Sequence, residues 1–263
     1  MKFILKISSA FLLFMLSATG FAQKNNTTII KAGKLIDVEN GKVLVNQMIL
    51  VRNDSIIQVA SRINIPKEAT IIDLSKYTVM PGFIDCHTHI TGQTGGDYYG
   101  TIFRKTPVDF AITAPINAKK TLEAGFTSVR DLGSVGLVDI ALRNAINNGD
   151  VVGPNIYAAT VFIGSTGSHG DLNGFSPYLS FNQPKGLSGI ANGVEGVREQ
   201  VRYNVKNGAD VIKFGASAGV LSEEESVGGP QYTQEEMNAI VSEAKMWGKK
   251  TAAHAHGAEA IKM

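Results

Sequence analysis

Between Thr28 and Val79 apolar and polar residues alternate in short runs, TIIKAGKLIDV, KVLVNQMILVR, SIIQVA and ATIIDLS, broken at Asn40-Gly41, at Asn53-Asp54 and by Pro66. Period-two alternation between such breaks predicts hairpin strands, and the region is expected to form a small antiparallel β-domain, half of a sandwich. From Pro81 onward the pattern changes. Short β-rich runs now alternate with helical stretches of ten or more residues, the signature of parallel βαβ units. Five strands are expected, at 83–89, 127–131, 156–160, 210–214 and 251–256, with helices near 109–124, 136–148, 194–207 and 233–248. Thr233 and Glu236 have the spacing of a capping box, and Gly125, Gly208 and Gly248 stand where helices stop before the next strand.

One connection is too long for a minimal unit. Residues 161–193 are rich in Gly, Ser, Asn and Pro, and structureless stretches of that length in compact domains are usually functional or disordered.

The N-terminus adds a different kind of segment. Lys2 and Lys6 precede an apolar run from Ala10 to Leu16 and small residues at Gly20 and Ala22, which reads as a secretory signal peptide over 1–22. The run is shorter than the roughly 20 residues needed to span a bilayer, so a secreted or periplasmic protein with no membrane attachment after cleavage is expected. Cys86 is the only cysteine, so no internal disulfide can support the exported chain. A formal charge of +2 with scattered lysines and arginines gives no basic block for nucleic acid. Oligomerisation, including a homo-oligomer, is left open by these features.

The chemistry-bearing residues cluster at expected strand ends. His87 and His89 stand two apart in VMPGFIDCHTHI, so both imidazoles can project to one side where parallel strands place their chemistry, and two neutral imidazoles are a start on a Zn²⁺ site. His254 and His256 repeat the spacing in KKTAAHAHGAEAI. Lys213, between Ile212 and Phe214, puts an ammonium on a strand fit for burial, where desolvation lowers its pKa. Alternation turns Cys86 outward as a small buried residue under helices, Arg130 and Asp131 read as a structural pair, and His169 lies among the glycines of the long loop.

These segments carry a resemblance. VMPGFIDCHTHI resembles the first-strand signature of the amidohydrolase superfamily. DVIKFGASAGVLS, KKTAAHAHGAEAI and GSHGD resemble the fourth-strand, fifth-strand and third-loop segments of its branch of imidazolonepropionase-like enzymes and secreted Xaa-Pro or Xaa-Arg dipeptidases. The resemblance implies an α/β fold: a (β/α)8 TIM-type barrel over 81–263, with only about five βα units present, preceded by the β-sandwich part at 23–80. It implies two divalent metal ions, zinc by preference, held by His87, His89, His254 and a carboxylated Lys213 that bridges them. His169 and His256 then face a dipeptide or other small-molecule substrate, though the order of roles between His254 and His256 stays open.

The implied reaction is hydrolysis of an amide bond by metal-activated hydroxide. The sixth-strand histidine and the eighth-strand aspartate that acts as general base are not present in the 263 residues. A non-catalytic remnant that binds metal weakly, and a cyclic-amide hydrolase, are the alternative expectations.

Overall fold

The computed structural model describes residues 26–92, 97–179, 183–184, 186–220 and 227–263; the leader expected over 1–22 lies outside them. Two compact units divide the chain at Pro81 and Gly82.

In the first unit, strands β1 (Thr27–Asp37), β2 (Lys42–Arg52), β3 (Ser55–Ala60) and β4 (Thr70–Val79) form one sheet in the order β3-β2-β1-β4. The turns fall where the sequence places them, with Gly41 and Asn53 at φ 63° and 55°. The expected all-antiparallel arrangement is corrected at one edge. β1 and β2 run antiparallel, but β4 returns parallel to β1, pairing Thr28 with Thr70 and Leu35 with Val79. The 61–69 segment carries the chain back across the sheet, whereas a tight turn would have forced a hairpin. Ile29, Leu50 and Ile63 form a small core, while Ile56, Ile71 and Val45 on the same sheet are exposed. The described residues of this unit thus make a single mixed sheet; no second sandwich layer is among them.

In the second unit the βα alternation appears as expected, with boundaries moved by a few residues. Its elements are β5 (Phe83–Thr88), α1 (Tyr98–Arg104), α2 (Pro107–Glu123), β6 (Phe126–Asp131), α3 (Val138–Asn148), β7 (Asn155–Ala158), α4 (Gly193–Lys206), β8 (Val211–Gly215), α5 (Gln234–Met246), β9 (Lys250–His254) and α6 (Ala258–Lys262). Helix α1 was not expected, because its seven residues follow directly on the glycine-rich stretch TGQTGGD. Gly125, Gly208 and Gly248 adopt φ of 97°, 96° and 67° just past α2, α4 and α5, a left-handed conformation that a side chain would resist.

All pairings between these strands are parallel. β5, β6 and β7 make one ladder and β8 and β9 another, joined by a bridge in which Ile163 N–H donates to Lys213 O (3.0 Å) and Gly215 N–H to Ile163 O (2.9 Å). Asp210 reinforces that thin seam: its N–H donates to Ala158 O (2.7 Å), and its carboxylate accepts from Ala158 N–H (3.0 Å) and from Arg143 of α3 (2.6 Å). The five strands therefore follow one another in chain order, and the described strands do not close into a barrel.

Strand β8 is buried at every residue. Its outer face joins Val197 and Val201 of α4 and Met237, Ile240 and Ala244 of α5 in the largest core. By contrast Phe83 and Ile84 of β5 are 50% and 68% exposed, and Cys86 is exposed, not covered by helices as expected. Among the described strands β5 is paired on one side only, and alternation could not tell what lay above its side chains.

Helix α5 begins at the expected capping box: Thr233 accepts from Glu236 N–H, and the Glu236 carboxylate accepts from Thr233 N–H (2.9 Å). Thr233→Ala should lower the unfolding free energy by about 1 kcal/mol. The urea midpoint reads this directly, and an unchanged midpoint would show the cap to be idle.

Candidate metal and substrate site

β5 ends at Thr88, so His87 is the last-but-one strand residue and His89 stands just past the end. Their ring centroids are 5.5 Å apart at 61°. His89 Nδ1 lies 3.1 Å from Gly133 O. A carbonyl only accepts, so Nδ1 carries the hydrogen, which leaves Nε2 as the nitrogen for a ligand. The backbone of this segment is pinned from β6. Asp131, fully buried, accepts from Ile90 N–H (2.6 Å) and Thr88 Oγ1 (3.3 Å) through one oxygen, and its other oxygen has no partner among the described residues.

Burial, together with the nearby carboxylate of Asp139, raises the Asp131 carboxyl to about 7. The expected Arg130–Asp131 pair is not formed. Adjacent strand residues face opposite sides, and Arg130 instead donates from Nε to Cys86 O (2.7 Å).

Lys213 sits in the middle of β8 and is 2% exposed. Its Nζ lies 5.6 Å from the centroid of the Phe162 ring, and it makes no ion pair among the described residues. Burial first, then the charge of Arg130, lowers it to about 8, close to where the free amine becomes abundant. His87 is lowered by burial and then by the charges of Lys213, His89 and Arg130, so it too favours the neutral form.

His254 ends β9 and is the centre of an aromatic cluster. Its ring stacks on His169 at 4.0 Å and 24°, and lies 4.6 Å from His256. Burial, then the charges of His169, Lys213, His256 and His87, lowers it to about 4. Its Nε2 is buried with no hydrogen-bond partner among the described residues. A buried nitrogen without a partner is costly, and such groups usually mark a missing ligand, ion or water. His256 is exposed, its N–H donating to Ser217 Oγ (2.9 Å).

The fold thus brings His87, Lys213 and His254, from three different strands, within electrostatic reach of one another, with His169 and His256 flanking His254. These residues fit a divalent ion in kind: His87 and His254 are held toward the neutral form and Lys213 lies near its amine form. They do not close a shell by themselves, since no group of three His, Cys, Asp or Glu among the described residues is set to hold a metal. Alternation and spacing gave no sign of Asp131's role, of Phe162 over Lys213, or of Gly219. A Cβ at 219 would lie 2.7 Å from His254 Nε2 and 2.9 Å from His169 Cε1.

The profile of the Amidohydrolase family matches residues 78–263, and the chain belongs to that family. Among curated proteins it is 34% identical to Ochratoxinase from Aspergillus niger over 251 residues, 89% of this chain and 51% of the relative. A Xaa-Pro dipeptidase solved with methionine bound in its active site is 38% identical with a TM-score of 0.81, covering 90% of this chain and 58% of that one. A prolidase complexed with N-methylphosphonate-L-proline is 33% identical with a TM-score of 0.78, again covering 90% and 58%. The chain spans about half the length of the curated relatives it matches first.

The raised pKa of Asp131 has a definite sign. Between its ordinary 3.8 and about 7 the folded state holds a proton the unfolded state has lost, so its stabilisation is present at low pH and fades as pH rises through 7. His254 acts oppositely, its contribution being present above 6.5 and lost as pH falls through about 4. Asp131→Asn keeps an oxygen acceptor for Ile90 N–H and removes the titration. Relative to the parent, the variant should gain stability between pH 5 and pH 8 in urea unfolding; parallel pH profiles would refute the assignment.

Proposed function

We propose that the protein is an exported, metal-dependent hydrolase that cleaves the amide bond of dipeptides, Xaa-Pro or Xaa-Arg in type. The observation that carries this is the meeting of His87, Lys213 and His254 from three strands, with the His254 Nε2 buried and without a partner among the described residues. A dipeptidase and a prolidase among the solved relatives support the substrate class, and the N-terminal leader supports action outside the cytoplasm.

In this reading divalent ions, zinc by preference, would be held by His87, His89, His254 and Lys213 in its carbamate form. That group forms when the amine attacks CO₂: the N–C bond is made and one proton leaves the nitrogen to solvent. The enclosure of Lys213 favours the step, since burial lowers the ammonium pKa and so supplies the free amine that attacks. When bound, the metal pair supplies Lewis-acid polarisation of the scissile carbonyl and acidification of a water. The protein's own part is to hold His87 and His254 toward the neutral form, to keep a hydrogen on His89 Nδ1 through Gly133 O, and to present His169 and His256 to the substrate.

Zinc content and turnover of a dipeptide panel should be measured together. Lys213→Ala and His254→Ala should each weaken zinc binding by at least about tenfold, and abolish turnover. Zinc bound without turnover of any dipeptide or cyclic amide would indicate a non-catalytic metal-binding remnant. Turnover of cyclic amides alone would move the substrate class, and zinc affinity unchanged in both variants would overturn the site.

A further inference from the structure

The long segment 161–193 bears His169, yet little in the sequence says how a glycine-rich loop would keep an imidazole in register with a strand end. Its framework is built in part from within: Asp171 accepts from Gly167 N–H (2.8 Å), and Asn173 Nδ2 donates to Ser168 O (2.9 Å). Those bonds shape the loop locally, and at its start Ile163 bridges to β8, six residues before His169.

The attachment nearest residue 169 comes from Gln231, just before α5. The His169 N–H donates to Gln231 Oε1 (3.0 Å), and the Ser165 hydroxyl donates to Gln231 O (2.8 Å). Gln231 is itself fastened to the exit of β8. Its N–H donates to Ala216 O (2.9 Å), Ser217 bridges the neighbouring Pro230, and Ala218 N–H donates to Gly229 O (3.1 Å). Ala216 and Ser217 N–H both donate to His254 O (2.8 and 3.2 Å). One side chain therefore connects the backbone of His169 to the segment that also carries the backbone of His254.

The space around the two rings is as confined as their backbones. They stack at 4.0 Å, Phe162 and His169 meet in a T-shaped arrangement at 5.9 Å, and the position where a side chain at 219 would sit is closed by both imidazoles. A shift of the 169 backbone by an ångström would open the stack, and misplacements of that size in a substrate-handling group can cost on the order of 100-fold in rate.

We propose that Gln231 is a positioning residue: through the Oε1 bond to His169 it holds that imidazole against His254, and so sets how a peptide reaches the cluster. The second half rests on the dipeptidase reading above; the first half stands without it. The side-chain oxygen is the essential atom, because the contacts to Ser165 and Ala216 use the Gln231 backbone and survive substitution.

The test compares Gln231→Ala, Gln231→Met and Gln231→Glu in the protein labelled at histidine. A ring-to-ring nuclear Overhauser effect between His169 and His254 reports the stack. It should be present in the parent, lost in the alanine and methionine variants, and retained in Gln231→Glu, which keeps the acceptor oxygen. Amide dispersion checks that each variant is folded; should the alanine variant unfold, the methionine variant decides.

On an Xaa-Pro dipeptide, the alanine and methionine variants should lose on the order of 10- to 100-fold in kcat/KM, mainly through KM, with glutamate restoring it. A persistent ring-to-ring signal in folded Gln231→Met overturns the proposal. An altered signal in a protein with no peptidase activity upholds the positioning of His169 and removes the peptide reading.

Discussion

A primary amine enclosed on the middle of a strand is the constraint around which this site is arranged. Lys213 is covered by the Phe162 ring and flanked by Ile212 and Phe214, and burial makes a persistent charge there expensive. The surroundings respond in one direction. His87 and His254 are both held toward the neutral form by burial and by Lys213 itself, and Arg130 adds further positive potential to Lys213. A cluster that discourages protonation at several nitrogens at once is rich in lone pairs and poor in protons. That is the electronic condition for binding a cation or handling a carbonyl, and it arises from packing and not from any one residue.

The second theme is how narrowly the strand ends are held. The β7–β8 seam rests on the Ile163 bridge and on Asp210, which serves Ala158 and Arg143 together. The β5 end is held by Asp131, and the β9 end by amides from Ala216 and Ser217. In each case the anchor comes from a neighbouring strand or its exit loop, so the cluster geometry follows from strand adjacency more than from loop stiffness.

Much of this was legible from residues alone. The five parallel strands, the four long helices, the glycine stops and the Thr233 cap appear within a few residues of their expected places, because periodicity and helix-end chemistry are local. Pairing direction is not local, and β4 joined the sheet parallel where alternating runs had implied hairpins. Burial is not local either: Cys86, expected under helices, is exposed. The contributions of Asp131 to Ile90 and Gln231 to His169 span 41 and 62 residues, beyond any window in which spacing can be read. The histidine pairs were visible through their i, i+2 spacing, whereas the stacking of His169 on His254 needed three dimensions.

Gly219 has a use beyond this molecule. Its backbone is not in the left-handed region, so conformational freedom does not require glycine there; the adjoining imidazoles do, by occupying the volume a methyl group would take. A single codon thus becomes a marker for sorting natural variants: a larger residue at this position requires the His254 or His169 ring to give way, so such chains are the ones in which the ring geometry needs to be checked first.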